Sequence, residues 1–144
     1  MATSVIGGLV TWVNSGSPSA AIRTALGSGT RFFADQAPEG QATPYSVCFQ
    51  VSESVENIAA GYAFEVVNTL VQVDVWADGR AKVESVLDAF ENALIFNQSK
   101  LTLTTKTHLQ TTKGNKVNEK DPDQPLWHGI LELNFLVQKD KPAP

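Results

Sequence analysis

Three residues of this 144-residue chain have the donor atoms that zinc prefers: His108, His128 and Cys48. Imidazole nitrogen and thiolate sulfur are the common ligands, and a structural site uses four of them. Period-two alternation along their strands predicts that all three lie on the polar side of a sheet. A hairpin centred about residue 118 would set the two histidines opposite each other. Three such groups without a local spacing such as paired CxxC or HExxH make a weak ligand set, and cross-strand polar pairs are ordinary sheet decoration. No metal and no cofactor is therefore expected. Asp74 and Glu132 share the same face, and two carboxylates can divide acid and base work when a desolvated pocket separates their pKa values; no stretch of the sequence marks such a pocket. No serine sits in a GxSxG setting, and Cys48 has no histidine-bearing signature around it. Gly27 and Gly29 in LGSGT precede no Lys-Ser/Thr pair and follow no strand, unlike a phosphate loop. Trp12, Trp76 and Trp127 have no interleaved basic residues, so they suit core or interface better than base stacking. With no converging constellation, the chain reads as a non-enzyme.

The elements that position these residues follow from length and patterning. A chain of 144 residues has the size of one domain, 1–144, and folding at that length buries roughly two-thirds of the unfolded surface. Formal charge is −4, and the 11 Lys and Arg are scattered, which argues against duplex binding. One cysteine cannot form an internal disulfide, and Met1 leads into no basic n-region or long apolar span, so synthesis in the cytoplasm without membrane insertion is expected. Val5, Leu9, Trp12 and Val13 recur at helical spacing and predict an N-terminal helix over 2–14, an extra arm on the domain. Ser17-Pro18 offers an N-cap with proline at the first helical position, Ala21, Ile22, Ala25 and Leu26 make a stripe, and Gly27 suits the C-terminal cap. The segment 32–44 reads as a connection.

Four strands are predicted. Tyr45, Val47, Phe49 and Val51 form the oily side of the first, with Ser46 and Cys48 opposite; Val71, Val73 and Val75 form that of the second. Leu101, Leu103 and Leu109 supply the third, and Trp127, Leu131, Leu133, Phe135 and Val137 the fourth. Between strands two and three the hydrophobic period lengthens to about 3.6, so Val83, Val86, Leu87, Phe90 and Leu94 fall on one helical stripe, with Asp78 placed to cap it. The expected fold is α+β: a two-layer sandwich with a four-stranded, mainly antiparallel sheet, helices on one face, and element order α-α-β-β-α-β-β. Residues 111–125 read as a long hairpin loop and 139–144 as a short C-terminal tail. Loops of that length are usually functional or ordered by a partner. The interface candidates are therefore Lys113, Asn115, Lys116, Asn118, Lys120 and Asp123 on the loop, with Trp76, Asp74 and Glu132 on the uncovered sheet face, where Leu70, Ile130 and Leu136 add apolar surface.

Three segments, FFADQAPEGQATPYSVCFQ, TLVQVDVWADGRAKVESVLDAF and PLWHGILELNFLV, resemble in order and spacing the tail-completion family of tailed phages, which includes tail terminator and tail-to-head joining proteins. The resemblance covers residues 20–139. It implies a structural virion protein at the head-proximal end of the tail, forming a homo-hexameric ring that stops polymerisation of the tail tube and docks the neck. It implies the tail tube protein and a neck or head-completion protein as partners, genomic DNA only passing through the lumen, and no catalytic residue. The N-terminal helix departs from the family's usual shorter start. Two other readings stay open: a head-completion or neck adaptor, and a small metal- or ligand-binding domain using His108, His128 and Cys48.

Overall fold

In the computed structural model the chain runs α1 (Val5–Ser15), α2 (Ala20–Leu26), β1 (Phe32–Ala34), β2 (Tyr45–Ile58), β3 (Phe64–Ala77), α3 (Arg80–Leu94), β4 (Thr107–Lys120) and β5 (Trp127–Asp140). The structure describes residues 5–16, 19–27, 31–58, 64–96, 107–120, 122 and 126–140. The strands form one sheet in the order β1-β2-β3-β5-β4, with β1 parallel to β2 and every other pair antiparallel.

Long β-branched and apolar runs put β3 and β5 at the centre, where they pair along their full length from Phe64 opposite Asp140 to Ala77 opposite Trp127. Their odd-numbered residues face the helices: Val67, Val71, Val73 and Val75 of β3 and Leu131, Leu133, Phe135 and Val137 of β5 are buried. The α3 stripe of Val83, Val86, Leu87, Phe90 and Leu94 closes over them and is wholly buried, as its spacing predicts. Burial of five such side chains contributes about 7 to 15 kcal/mol as an upper bound. Asp78 does not cap α3. The N-cap position is Gly79, without a side-chain hydrogen bond, and Asp78 instead pairs with Lys82 one turn on, at 2.9 Å.

The N-terminal helix is no arm. Val5, Leu9, Trp12 and Val13 all enter the same core cluster as the sheet. Its C-terminal carbonyls are gathered by α2: the buried Ser19 hydroxyl reaches Trp12 O (2.5 Å) and Gly16 O (2.9 Å), and Arg23 Nη1 donates to Val13 O (2.8 Å) and Gly16 O (2.7 Å). A guanidinium on those carbonyls also opposes the negative end of the α1 dipole. In α2, Ile22 and Leu26 are buried and Gly27, at φ 97°, ends the helix; Ser17 and Pro18 lie outside the described residues.

The sheet departs from the expected one in four respects. It has five strands, because part of the segment read as a connection forms β1, which buries Phe32 against Phe90 and lies parallel to residues 46–48. The phase of β2 is inverted: Cys48 pairs with Val73, so Ser46 and Cys48 face the helices, while Tyr45, Val47 and Phe49 lie opposite Trp76, Asp74 and Gln72 on the other face. Most of the expected loop is strand, since residues 111–120 belong to β4 and pair with β5 up to Lys120 opposite Trp127. That strand is polar because it is the sheet edge, and register shifts at His108/Gln110 and Lys113/Lys116 leave Leu109 46% exposed rather than inward. Finally, β5 runs to Asp140, so two residues of the expected tail are strand. Leu101, Leu103 and residues 141–144 lie outside the described residues.

Gly129 governs how closely helix and sheet approach. A Cβ there would collide with Val83 Cγ1 and come within 2.8 Å of Leu87 Cδ1. Gly129→Ala should force α3 away from β5 and cost about 1 to 3 kcal/mol, the usual penalty of overpacking. Urea denaturation measures this as a lower midpoint at unchanged slope.

Candidate functional site

On the sheet face away from the helices, three rings stand side by side across three strands. Tyr45, Trp76 and His128 occupy matched register positions on β2, β3 and β5. Tyr45 stacks on Trp76 at 5.3 Å between centroids and 23° between planes; Trp76 stacks on His128 at 4.7 Å and 5°. Such pairs are worth roughly 0.5 to 1.5 kcal/mol each beyond their buried area. Asp74 lies beside the ladder, only 8% exposed, with Oδ1 accepting a 2.8 Å hydrogen bond from Gln72. Its Oδ2 is 3.7 Å from His128 Nε2, an ionic approach too long for a hydrogen bond, and Glu119 Oε1 is 3.5 Å from His128 Nδ1. The Asp74 carboxylate raises the His128 pKa above its ordinary value, outweighing burial, with Glu119 adding to the effect.

The connection after β1 folds over one end of this face. Asp35 takes positive φ (65°) and its amide donates to Cys48 O at 2.8 Å, and Gly40 supplies the second left-handed position at φ 77°. Residues 35–41 thereby wall a cleft of about 420 Å³ whose floor is Tyr45, Val47, Phe49, Asp74 and Trp76. Val47 is buried on this face, not in the main core, because the connection covers it.

The metal candidates are separated. His128 is on the open face, whereas Cys48 and His108 are on the helix side of β2 and β4, which lie toward opposite edges of the sheet. His128 faces Glu119 and His108 faces Val137, since the hairpin turns between Lys120 and Trp127 rather than about residue 118. No cluster of three ligating side chains occurs among the described residues. Burial, with the Asp35 charge adding, pushes the Cys48 thiol up to about 12, which leaves it a poor ligand and nucleophile. His108 Nε2 lies 2.6 Å from the Thr111 hydroxyl.

The interface candidates form two groups. Lys113 reaches Glu91 (2.8 Å), Lys116 reaches Asp88 (2.6 Å) and Glu91 (2.8 Å), and Asn118 Nδ2 donates to Glu84 at 3.5 Å, so this side of β4 is tied to α3. Hydrogen bonding from Lys113, then Lys116, holds the Glu91 carboxyl below the usual range. Trp76 and Asp74 belong to the open face, as does Glu132, whose carboxylate accepts from Asn115 at 3.3 Å. Lys120 is exposed at the end of β4, and Asp123 lies outside the described residues. Sequence reading missed Tyr45, Glu119, Asp35 and Glu39 as members of this face. The signal lay in the alternate side of 45–51, which the oily residues had assigned to the core.

An NMR titration of the His128 ring should give a midpoint above 6.5, falling when Asp74→Asn removes the carboxylate charge. Because the folded pKa is raised, the stabilisation by this pair is complete below the unfolded value and is lost as pH rises through the folded one. A midpoint at or below 6.5 would refute the Asp74–His128 contact.

No curated protein matches the chain. Among solved structures, a chain described as "Virion of native gene transfer agent (GTA) particle" shares the fold at TM-score 0.56 and 17% identity, over 83% of this chain and 92% of that one. No helix among the described residues is long and apolar enough to cross a membrane. The family model for "Tail completion protein gp17" matches residues 17–138, which leaves only α1 outside among the helices and strands that precede Lys139. On that match, which spans most of its length, the chain belongs to the tail completion protein gp17 family of structural phage tail proteins.

Proposed function

We propose that the protein is the subunit of a homo-hexameric ring at the head-proximal end of the tail tube, where it stops tube polymerisation and joins the tail to the neck. The observation that carries this reading is the family match over residues 17–138. The surface supports it. Two sheet edges have no strand partner among the described residues: the outer side of β4, and β2 beyond its short pairing with β1. Of the five exposed large apolar residues among the described ones, four lie on these strands, Val51 and Val55 on β2 and Leu109 and Val117 on β4, and the fifth, Phe96, follows α3. Unlike edges that meet head to tail generate a closed ring when the rotation closes. A chain of net charge −4 also suits a lumen through which DNA must slide, because clustered basic groups would retain the phosphates. The tail tube protein on one side and a neck or head-completion protein on the other are the partners of such a ring.

Mass spectrometry of purified headless tails tests the station. The subunit should be present there, and particles made without it should carry tails of uncontrolled length. Its absence from headless tails and presence on isolated heads would make it a neck adaptor instead. The edges are tested by Val55→Asp and Val117→Asp. Each should leave monomer stability within about 0.5 kcal/mol, as for other exposed sites, while abolishing the hexamer in native mass spectra. Hexamers formed by both variants would show that the edges are not the contact.

A further inference from the structure

We propose that the cleft beneath residues 35–41 receives a cationic side chain, arginine or lysine, presented by a neighbouring protein subunit. Among the described residues three carboxylates line it, Asp35, Glu39 and Asp74, and no lysine, arginine or histidine does. Its remaining wall is aromatic and aliphatic, from Tyr45, Phe49, Trp76 and Val47. An aromatic surface beside carboxylates suits a guanidinium in particular, whose flat faces stack on rings while its edge donates to oxygens. An anion is repelled by the same lining, which excludes a phosphate or nucleic-acid ligand.

Asp74 is the strongest element. A carboxylate whose side chain is only 11% exposed is costly unless its acceptor capacity is used. Gln72 satisfies Oδ1, but Oδ2 meets His128 Nε2 only at 3.7 Å, and that nitrogen makes no hydrogen bond. At that distance Oδ2 keeps acceptor capacity for a second donor beside His128, and Asp74 is part of the cleft lining. A divalent cation fits less well, because the three carboxylates, though all in the lining, do not come together as a set that could ligate one ion. A projecting side chain suits the location, since the cleft opens on the sheet face that the helices leave uncovered.

This inference goes beyond the ring reading and does not depend on it, because its test uses the isolated chain. The peptide acetyl-Gly-Arg-Gly-amide would be titrated into the full-length protein and followed by NMR at the Trp76 indole N–H and the amides of residues 35–41. Saturable shifts with a millimolar midpoint are expected, and the citrulline analogue, isosteric but neutral, should bind about tenfold more weakly. Asp74→Asn, which keeps shape and the Gln72 contact, should lose the response. Should that variant fail to fold, the exposed pair Asp35→Asn with Glu39→Gln should weaken binding about threefold. Equal responses to the arginine and citrulline peptides, an unchanged midpoint in the variants, or shifts confined to other acidic sites such as Asp88 would each overturn the proposal.

Discussion

The seating of α3 on β3 and β5 sets the phase of everything else. Gly129 lets Val83 and Leu87 descend onto β5, and the contact fixes which parity of that strand points inward. Leu131, Leu133, Phe135 and Val137 then have to face the helix, and His128, Ile130, Glu132 and Asn134 have to face away. A strand has only these two choices, so a one-residue slip would exchange the two sets completely. Continuous pairing carries the decision from β5 to β3, where Trp76 is placed against His128 and Asp74 against Ile130, and from β3 to β2, where Tyr45 meets Trp76. The open-face constellation is thus a consequence of helix packing on the opposite side.

The edge strand is handled by a different device. An outer strand built like β3 would expose apolar surface and invite unwanted pairing; β4 instead carries lysines and two register shifts. Lys113 and Lys116 point to the helix side but beyond the reach of its apolar stripe, where Asp88 and Glu91 meet them. Exposed ion pairs contribute little to stability in general, although the Glu91 side chain is only 16% exposed and receives both lysines. Their larger effect is directional, since they fix which side of β4 turns toward α3 and leave Val117 on the other.

These mechanics determine how far the fold was legible in the sequence. The α1 and α3 stripes were plain because each helix buries one continuous face and exposes the other. The valines of β3 and the alternate residues of β5 were plain for the same reason. In β2 the rule failed because both sides are partly covered: the helices take Ser46 and Cys48, and residues 35–41 cover Val47. Oiliness then no longer marks the main core. The polar composition of 111–120 read as a loop because an edge strand with charged helix neighbours needs no apolar side. A bulge, in turn, leaves no trace in composition while it inverts the parity of the residues beyond it. Pairing His108 with His128 inherited both errors. Asp74, Trp76 and Glu132 were placed on the correct face because they sit on central strands whose phase the core dictates.

Asp74 is a charged group set where packing does not require one. Burying an ionised group costs more than its partners usually return, and the partners here are Gln72 at 2.8 Å and His128 at 3.7 Å. Ser46, by contrast, donates its hydroxyl to the Asp74 backbone carbonyl at 2.9 Å, so the main chain here is satisfied without the carboxylate. In the isolated chain the structural return on the charge is confined to the hydrogen bond from Gln72 and the pairing with His128. What it does produce is a focused negative potential at the bottom of an aromatic-walled cleft, because a low-dielectric surround strengthens the field of a fixed charge. A fixed charge of this kind resists an acidic surface and rewards a basic one, and here rigid central strands hold it in place.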